Sequence, residues 1–184
     1  MEEYSYELKI PKERIAVLVG KEGKVKSELE EQTGAKISID SKEGDVRLTS
    51  SDSVKLFLLK DIVRAVGRGF NPEIAMQLLK QDYVLELISL SDFVKSSNQM
   101  LRLKGRVIGK NGKSRETIEE LTDTNIVVYG KTVAILGFCD NVAISKRAVE
   151  SLLQGSQHAS VFKWLEKSRR QRKYDEMASF TSSY

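Results

Sequence analysis

Two short glycine turns with lysines beside them are the part of this 184-residue sequence that could do chemistry. One is Gly109-Lys110-Asn111-Gly112, followed by Lys113; the other is Gly20-Lys21-Glu22-Gly23, followed by Lys24. With no Cβ at either end, a G-x-x-G turn can take torsions that other residues avoid and can approach another chain closely. The N–H groups that open a following helix then form an anion site. Arg106, Lys110, Lys113 and Arg115 in one copy, and Lys21 and Lys24 in the other, add positive charge beside that site. The chemistry on offer is the binding of a phosphate-bearing chain. Glu22 places a repelling charge in the first copy.

The two turns stand 89 residues apart, and the spacing persists beyond them. Leu29, Thr33, Ala35 and Ile37 keep the register of Ile118, Thr122, Thr124 and Ile126. A repeat of that length predicts two small domains rather than one large one.

The elements that must position each turn follow one order: strand, helix, glycine loop, helix, strand, strand, helix. In the first copy Tyr4 to Ile10 alternates like a half-buried strand, and Pro11 suits the start of a helix that stops at Gly20. A second helix from Lys24 carries Val25 and Leu29 inward and ends at Gly34. A hairpin over 36–40 and 46–49 leads to a third helix, capped by Ser51 or Asp52, with Val54, Leu58, Ile62 and Val66 expected on its inner face.

Asn71-Pro72 opens a connecting helix expected to run through Lys80, and Tyr83 to Leu90 alternates like a strand. Asn98–Ile108 and Ser114–Asp123 flank the second turn, a tight hairpin follows through Gly130-Lys131, and Asn141–Leu153 closes the unit. A last helix from His158 to about Met177 begins with Val161, Phe162, Trp164 and Leu165, which should pack on the second unit. It continues with Lys167, Arg169, Arg170, Arg172 and Lys173, which should be wet. The expected domains are residues 1–69 and 82–177, joined by 70–81, with a frayed polar tail over 178–184.

Composition narrows the function. The net charge of +4 is modest, but Arg102 to Arg115 holds six basic residues and no acid, and Lys9 to Lys26 holds six against Glu13 and Glu22. Positive charge thus gathers around both turns, as on a surface that meets phosphate. One cysteine, Cys139, rules out an internal disulfide and reads as a small buried hydrophobe; with the single histidine, His158, it cannot make a zinc site of about four ligands. No metal and no cofactor are expected. No apolar run reaches the roughly 20 residues of a membrane span, and MEEYSYELKI is acidic rather than a basic, apolar leader. The expectation is a soluble, unexported, cytoplasmic protein.

An enzyme is not expected. Gly112-Lys113-Ser114 ends like a P-loop, but the position that needs the first glycine is Val107, and the turn follows a helix where a P-loop follows a strand. Glu28, Glu30, Glu31, Glu116, Glu119 and Glu120 have spacings that solvate a helix face and pair with lysines, and His158 has no nucleophile beside it.

The pattern of an apolar pair, G-x-x-G, and an apolar residue six places on resembles the KH domain, whose GXXG loop clamps a nucleotide backbone. Leu18 to Gly23 with Leu29, and Val107 to Gly112 with Ile118, both meet it. The resemblance implies an α+β fold of two tandem eukaryotic-type KH domains, each a three-stranded sheet packed by three helices, plus a C-terminal helix. It also implies an apolar groove, with Ile37, Ile39, Ile126 and Val128 in its floor or in the core beneath.

Gly105 to Arg115, Ile118 to Thr122, Tyr129 to Gly137, Gly155 to Phe162 and Leu165 to Arg170 further resemble the partner-of-Nob family of small-subunit ribosome-assembly factors. That resemblance implies binding to single-stranded rRNA near the 3′ end of the small-subunit precursor, beside the processing endonuclease. It also implies contact with the α subunit of translation initiation factor two and membership of the archaeal branch. Gly20, Lys21, Glu22, Gly23 and Lys24 in the first loop, and Arg106, Gly109, Lys110, Asn111, Gly112, Lys113 and Arg115 in the second, are the candidate RNA-binding residues. A KH-fold protein scaffold, an assembly factor of the KRR-motif type and an RNA-decay adaptor are the alternatives.

Overall fold

The computed structural model describes residues 3–181. The chain divides into two compact units, Met1–Leu85 and Glu86–Tyr184. The division falls inside the strand that starts at Tyr83, close to the boundary expected at residue 82.

In the first unit strand β1 (Tyr4–Lys9) is followed by helices α1 (Lys12–Val19) and α2 (Lys24–Thr33), strands β2 (Lys36–Asp40) and β3 (Asp45–Ser50), and helix α3 (Ser53–Gly67). The sheet order is β1-β3-β2, antiparallel throughout, with Tyr6 opposite Leu48 and Ile37 opposite Leu48 from the other side. Val46 and Leu48 on the central strand are fully buried, as are Leu18, Leu29, Leu59 and Ile62 from the three helices. The other face of the sheet is charged and open, with Glu7 bridging Arg47 at 2.6 Å.

Helix α3 starts at Asp52, whose carboxylate accepts the N–H groups of Val54 and Lys55. Its inner face is Leu56, Leu59, Ile62, Val63 and Val66, while Val54 is 67% exposed and Leu58 only half-buried. The face expected from Val54 and Leu58 is therefore corrected. A strict i+4 series drifts about 40° per step around a helix and leaves any one face within two turns.

The connecting helix is also shorter than expected. Helix α4 (Pro72–Ala75) tightens into a 3₁₀ turn over Met76–Leu79. Residues three apart eclipse in a 3₁₀ helix, which buries Ala75 and Leu78 together.

The second unit repeats the plan with strand β4 (Tyr83–Ser89), helices α5 (Ser97–Ile108) and α6 (Lys113–Thr122), strands β5 (Thr124–Tyr129) and β6 (Thr132–Phe138), and helix α7 (Cys139–Leu153). The order is β4-β6-β5, and Val107, Ile118, Ile126, Ile135, Val149 and Leu152 form the centre of its core. Cys139 is half-buried at the first residue of α7, not sealed in the core.

Helix α8 (His158–Thr181) packs Val161 and Leu165 into the same core. It runs past the expected end at Met177, and residues 182–184 of the expected tail lie outside the described residues. Among the described residues no helix is long and apolar enough to cross a membrane.

Candidate nucleic-acid interface

Each glycine turn is a tight turn between two helices, with its last two residues, Glu22-Gly23 or Asn111-Gly112, left-handed, and the two copies have nearly the same torsions. Gly109 (φ 74°, ψ 178°) ends α5 and Gly20 (φ 73°, ψ 176°) ends α1. That region is essentially closed to any residue with a Cβ. A Cβ on Gly109 would also lie 2.6 Å from the Ser114 Cβ, and one on Gly20 would lie 2.5 Å from a Val25 methyl. Gly112 and Gly23 have φ of 81° and 77° but more room around them.

The two middle positions separate the copies. Asn111 and Glu22 both sit at φ 56°. Asparagine tolerates the left-handed region and glutamate does not, so the first loop carries backbone strain as well as the wrong charge.

Behind each turn a helix begins with no side chain capping it: α6 from Gly112 and α2 from Gly23. The Lys113 and Lys24 N–H groups already donate to the Lys110 and Lys21 carbonyls, so what each helix start offers an outside acceptor is the N–H groups beyond them. Lys110, Asn111 and Lys113 are exposed around the second turn, as are Lys21, Glu22 and Lys24 around the first. The structure thus brings each loop set together within its own unit.

The arginines behave differently from the lysines. Arg106 turns away from the loop and donates Nε to the Leu152 carbonyl at 2.8 Å and Nη2 to the Ser156 carbonyl at 2.6 Å. It closes the C-terminal end of α7, and its own carbonyl lies 2.8 Å from Nε2 of His158. A carbonyl can only accept, so that ring nitrogen carries the proton. Arg115 pairs with Glu119 at 3.5 Å. Arg14 of α1 matches Arg106, donating to Val66 at 2.8 Å and Phe70 at 2.6 Å. No residue-type signal distinguishes such clamps from phosphate binders; only the folded helix ends do.

Two glutamates expected on a wetted face also act inside the unit, one of them, Glu30, while pairing with Lys26 at 3.9 Å as its spacing predicts. Glu119 Oε1 accepts the Ile126 N–H at 2.6 Å, and Glu30 Oε1 accepts the Ile37 N–H at 2.7 Å. Each ties the helix behind the loop to the outer strand of the hairpin. Glu119 has a pKa raised from its usual value, chiefly because burial disfavours the charge; the Ile126 bond and Arg115 act in the opposite direction.

Ile37 and Ile126, at 2% and 1% exposure, belong to the core, while Ile39 and Val128, two residues further on the same strand faces, stay half-buried. The basic end of α8 lies away from the loop. Arg172 donates to Asn141 and, at 2.9 Å, to the carbonyl of Leu121 near the far end of α6. From Lys113 to Leu121 is roughly 12 Å along the helix axis.

Residues 84–170 match a family model described as a eukaryotic-type KH domain (KH-domain type I), and residues 5–57 match a KH-domain model. A KH domain-containing protein of Methanocaldococcus jannaschii is 52% identical over 166 residues, covering 88% of this chain and 73% of that one. The RNA-binding protein pno1 of Dictyostelium discoideum is 30% identical and covers 88% and 70% respectively. The chain belongs to the partner-of-Nob (Pno1, Dim2p) family.

Within that family the archaeal Dim2p of Pyrococcus horikoshii, crystallised as an a/eIF2α–aDim2p–rRNA complex, is 43% identical with a TM-score of 0.86. The match covers 92% of this chain and 96% of that one. An Aeropyrum pernix protein of unknown function superposes over the full length of both chains with a TM-score of 0.92 at 33% identity. The relative from Yarrowia lipolytica carries the name pre-rRNA-processing protein. The α+β fold of two KH domains with a C-terminal helix is therefore the family fold.

Proposed function

We propose that this chain binds the single-stranded 3′ region of the small-subunit rRNA precursor in ribosome assembly, and that its second unit is the principal reader. The observation that carries this is the second turn: an uncapped start to α6 behind Gly109 and Gly112, with Lys110, Asn111 and Lys113 exposed around it. Gly109 and Gly112 admit the backbone, Lys110 and Lys113 neutralise phosphate, and the half-buried Val128 contributes to the groove floor. Arg115 reaches phosphate only by leaving Glu119. The relative crystallised with rRNA and a/eIF2α supports both as partners, and the family likeness adds the rRNA-processing endonuclease. The working place is the cytoplasm, and the chain itself catalyses no step.

The first loop, with Glu22 in place of Asn111, contributes less to this binding. The test is fluorescence anisotropy with single-stranded RNA from the 3′ end of small-subunit rRNA. Changing Lys110 and Asn111 together to Asp should weaken binding at least about tenfold, as for lost charge-assisted bonds, with an unchanged circular dichroism spectrum. Equal affinity in that variant would overturn the assignment.

A further inference from the structure

The first unit carries a second cationic feature, remote from its glycine turn. A cleft of about 200 Å³ opens where β1 runs into α1, against the last turns of α3. Tyr6, Lys9, Lys60, Arg64 and Arg68 line it; Lys9 pairs with Asp45 and Lys60 with Asp61, neither of which lines the cleft. Pro11, at its edge, stands at the opposite end of α1 from Gly20.

The arginines here lack the partners that the unit's other arginines have. Arg14 is held by two carbonyls and Arg47 by Glu7. Arg64 and Arg68 have no ion pair among the described residues, and Nε of Arg68 is sealed from solvent without an acceptor. Like charges four residues apart on a helix destabilise it. Their place in the last turn and at the C-cap of α3 suits the helix dipole, but the Val66 carbonyl at that end is already held by Arg14, as is that of Phe70 just beyond.

The second unit shows the same place without this charge. Matching the clamped carbonyls of Val66 and Phe70 to those of Leu152 and Ser156 sets Lys60 on Lys146, Arg64 on Glu150 and Arg68 on Gln154. There Lys146 pairs with Glu86 at 2.6 Å. In the first unit Lys60 pairs with its neighbour Asp61 at 3.4 Å and lies 3.6 Å above the Phe57 ring and 5.6 Å from that of Tyr6. Tyr6 and Phe57 remain 45% and 58% exposed. Unpaired guanidinium groups beside an exposed ring suit a strand that offers phosphate and base faces together.

We propose that this cleft is a second contact for single-stranded RNA, independent of either glycine turn, in which Arg64 and Arg68 hold a backbone phosphate and a base lies against Tyr6. The identity of the strand rests on the RNA-binding reading above.

The experiment measures anisotropy of fluorescein-labelled oligouridylate with the full chain across a salt series, for wild type, Arg64→Ala/Arg68→Ala, Lys110→Asp/Asn111→Asp and all four changes combined. The arginine pair should lower affinity about tenfold, as for one lost charge-assisted phosphate contact. It should reduce the slope of log affinity on log salt by about one. The same loss should appear in the Lys110→Asp/Asn111→Asp background, and ultraviolet crosslinking should mark Tyr6. Thermal stability should not fall, since no internal partner is removed; Arg64→Ala alone, at an exposed position, is the variant to use if the pair unfolds.

Unchanged affinity and slope would overturn the proposal. It would equally be overturned if inorganic phosphate raised the melting temperature of wild type but not of the arginine variant while RNA binding stayed equal, which would mark a site for small anions. Loss confined to the Lys110→Asp/Asn111→Asp arm would leave the function proposed above standing and remove this one.

Discussion

Glu119 holds the backbone N–H of Ile126 at 2.6 Å while its own burial disfavours the charge that makes it a good acceptor. Removing the carboxylate leaves a half-buried N–H unpaired, so Glu119→Ala should cost about 1–3 kcal/mol in urea unfolding. Glu119→Gln keeps an acceptor oxygen and should recover most of that loss.

The same residue sets a pH dependence. A folded pKa raised above the usual glutamate value of 4.5 means that the folded state holds the proton more tightly. The stability this adds is fully present below the unfolded pKa and is lost as pH rises through the folded one. Wild type should therefore lose stability relative to Glu119→Gln on going from acid to neutral pH, and a constant difference between the two unfolding curves would contradict this.

Gly109 and Gly112 should not tolerate alanine equally. At Gly109 the torsions and the 2.6 Å clash with Ser114 act together, which predicts a loss of about 3 kcal/mol. At Gly112 the nearest atom to a new Cβ is a Glu116 carboxylate oxygen at 3.4 Å, so the left-handed torsion alone should cost about 1–2 kcal/mol. Thermal unfolding of the two single variants measures the gap.

Glu22→Asn should make the first loop resemble the second. Relief at φ 56° predicts a gain of up to about 1 kcal/mol. Loss of the negative charge should tighten RNA binding at low salt. An anisotropy titration and a denaturation curve on the same preparation test both.

Arg106→Ala should lower stability by about 2 kcal/mol through loss of its bonds to Leu152 and Ser156. The salt slope of RNA binding should stay the same. A reduced slope would show that this guanidinium reaches phosphate after all.

The element order, both turns and the lysines around them were legible because glycine, proline and alternation are local signals. Leu29, Ile37, Ile118 and Ile126 were legible as a register because duplication keeps buried positions together. What escaped was anything decided by a long-range partner. Glu30 and Glu119 look like solvating residues until the strand seven positions on folds against them. Arg106 looks like a phosphate ligand until the end of α7 arrives beside it. Val54 and Leu58 differ for another reason, since an every-fourth pattern drifts off the buried face of a helix. Arg64 and Arg68 are not legible as a site because nothing in their spacing shows that a carboxylate is missing.

Arg14 lies six positions before its glycine turn and Arg106 only three, yet each grips a carbonyl pair four residues apart. The first hairpin joins β2 and β3 through Ser41 to Gly44 and the second joins β5 and β6 through Gly130 and Lys131 alone, so the closing helices could not keep a common numbering with the turns. The halves differ in length, and the same grip is made from positions about one helical turn apart. A comparison of the halves column by column would score the two arginines as unrelated, although each locks the same place in its own half.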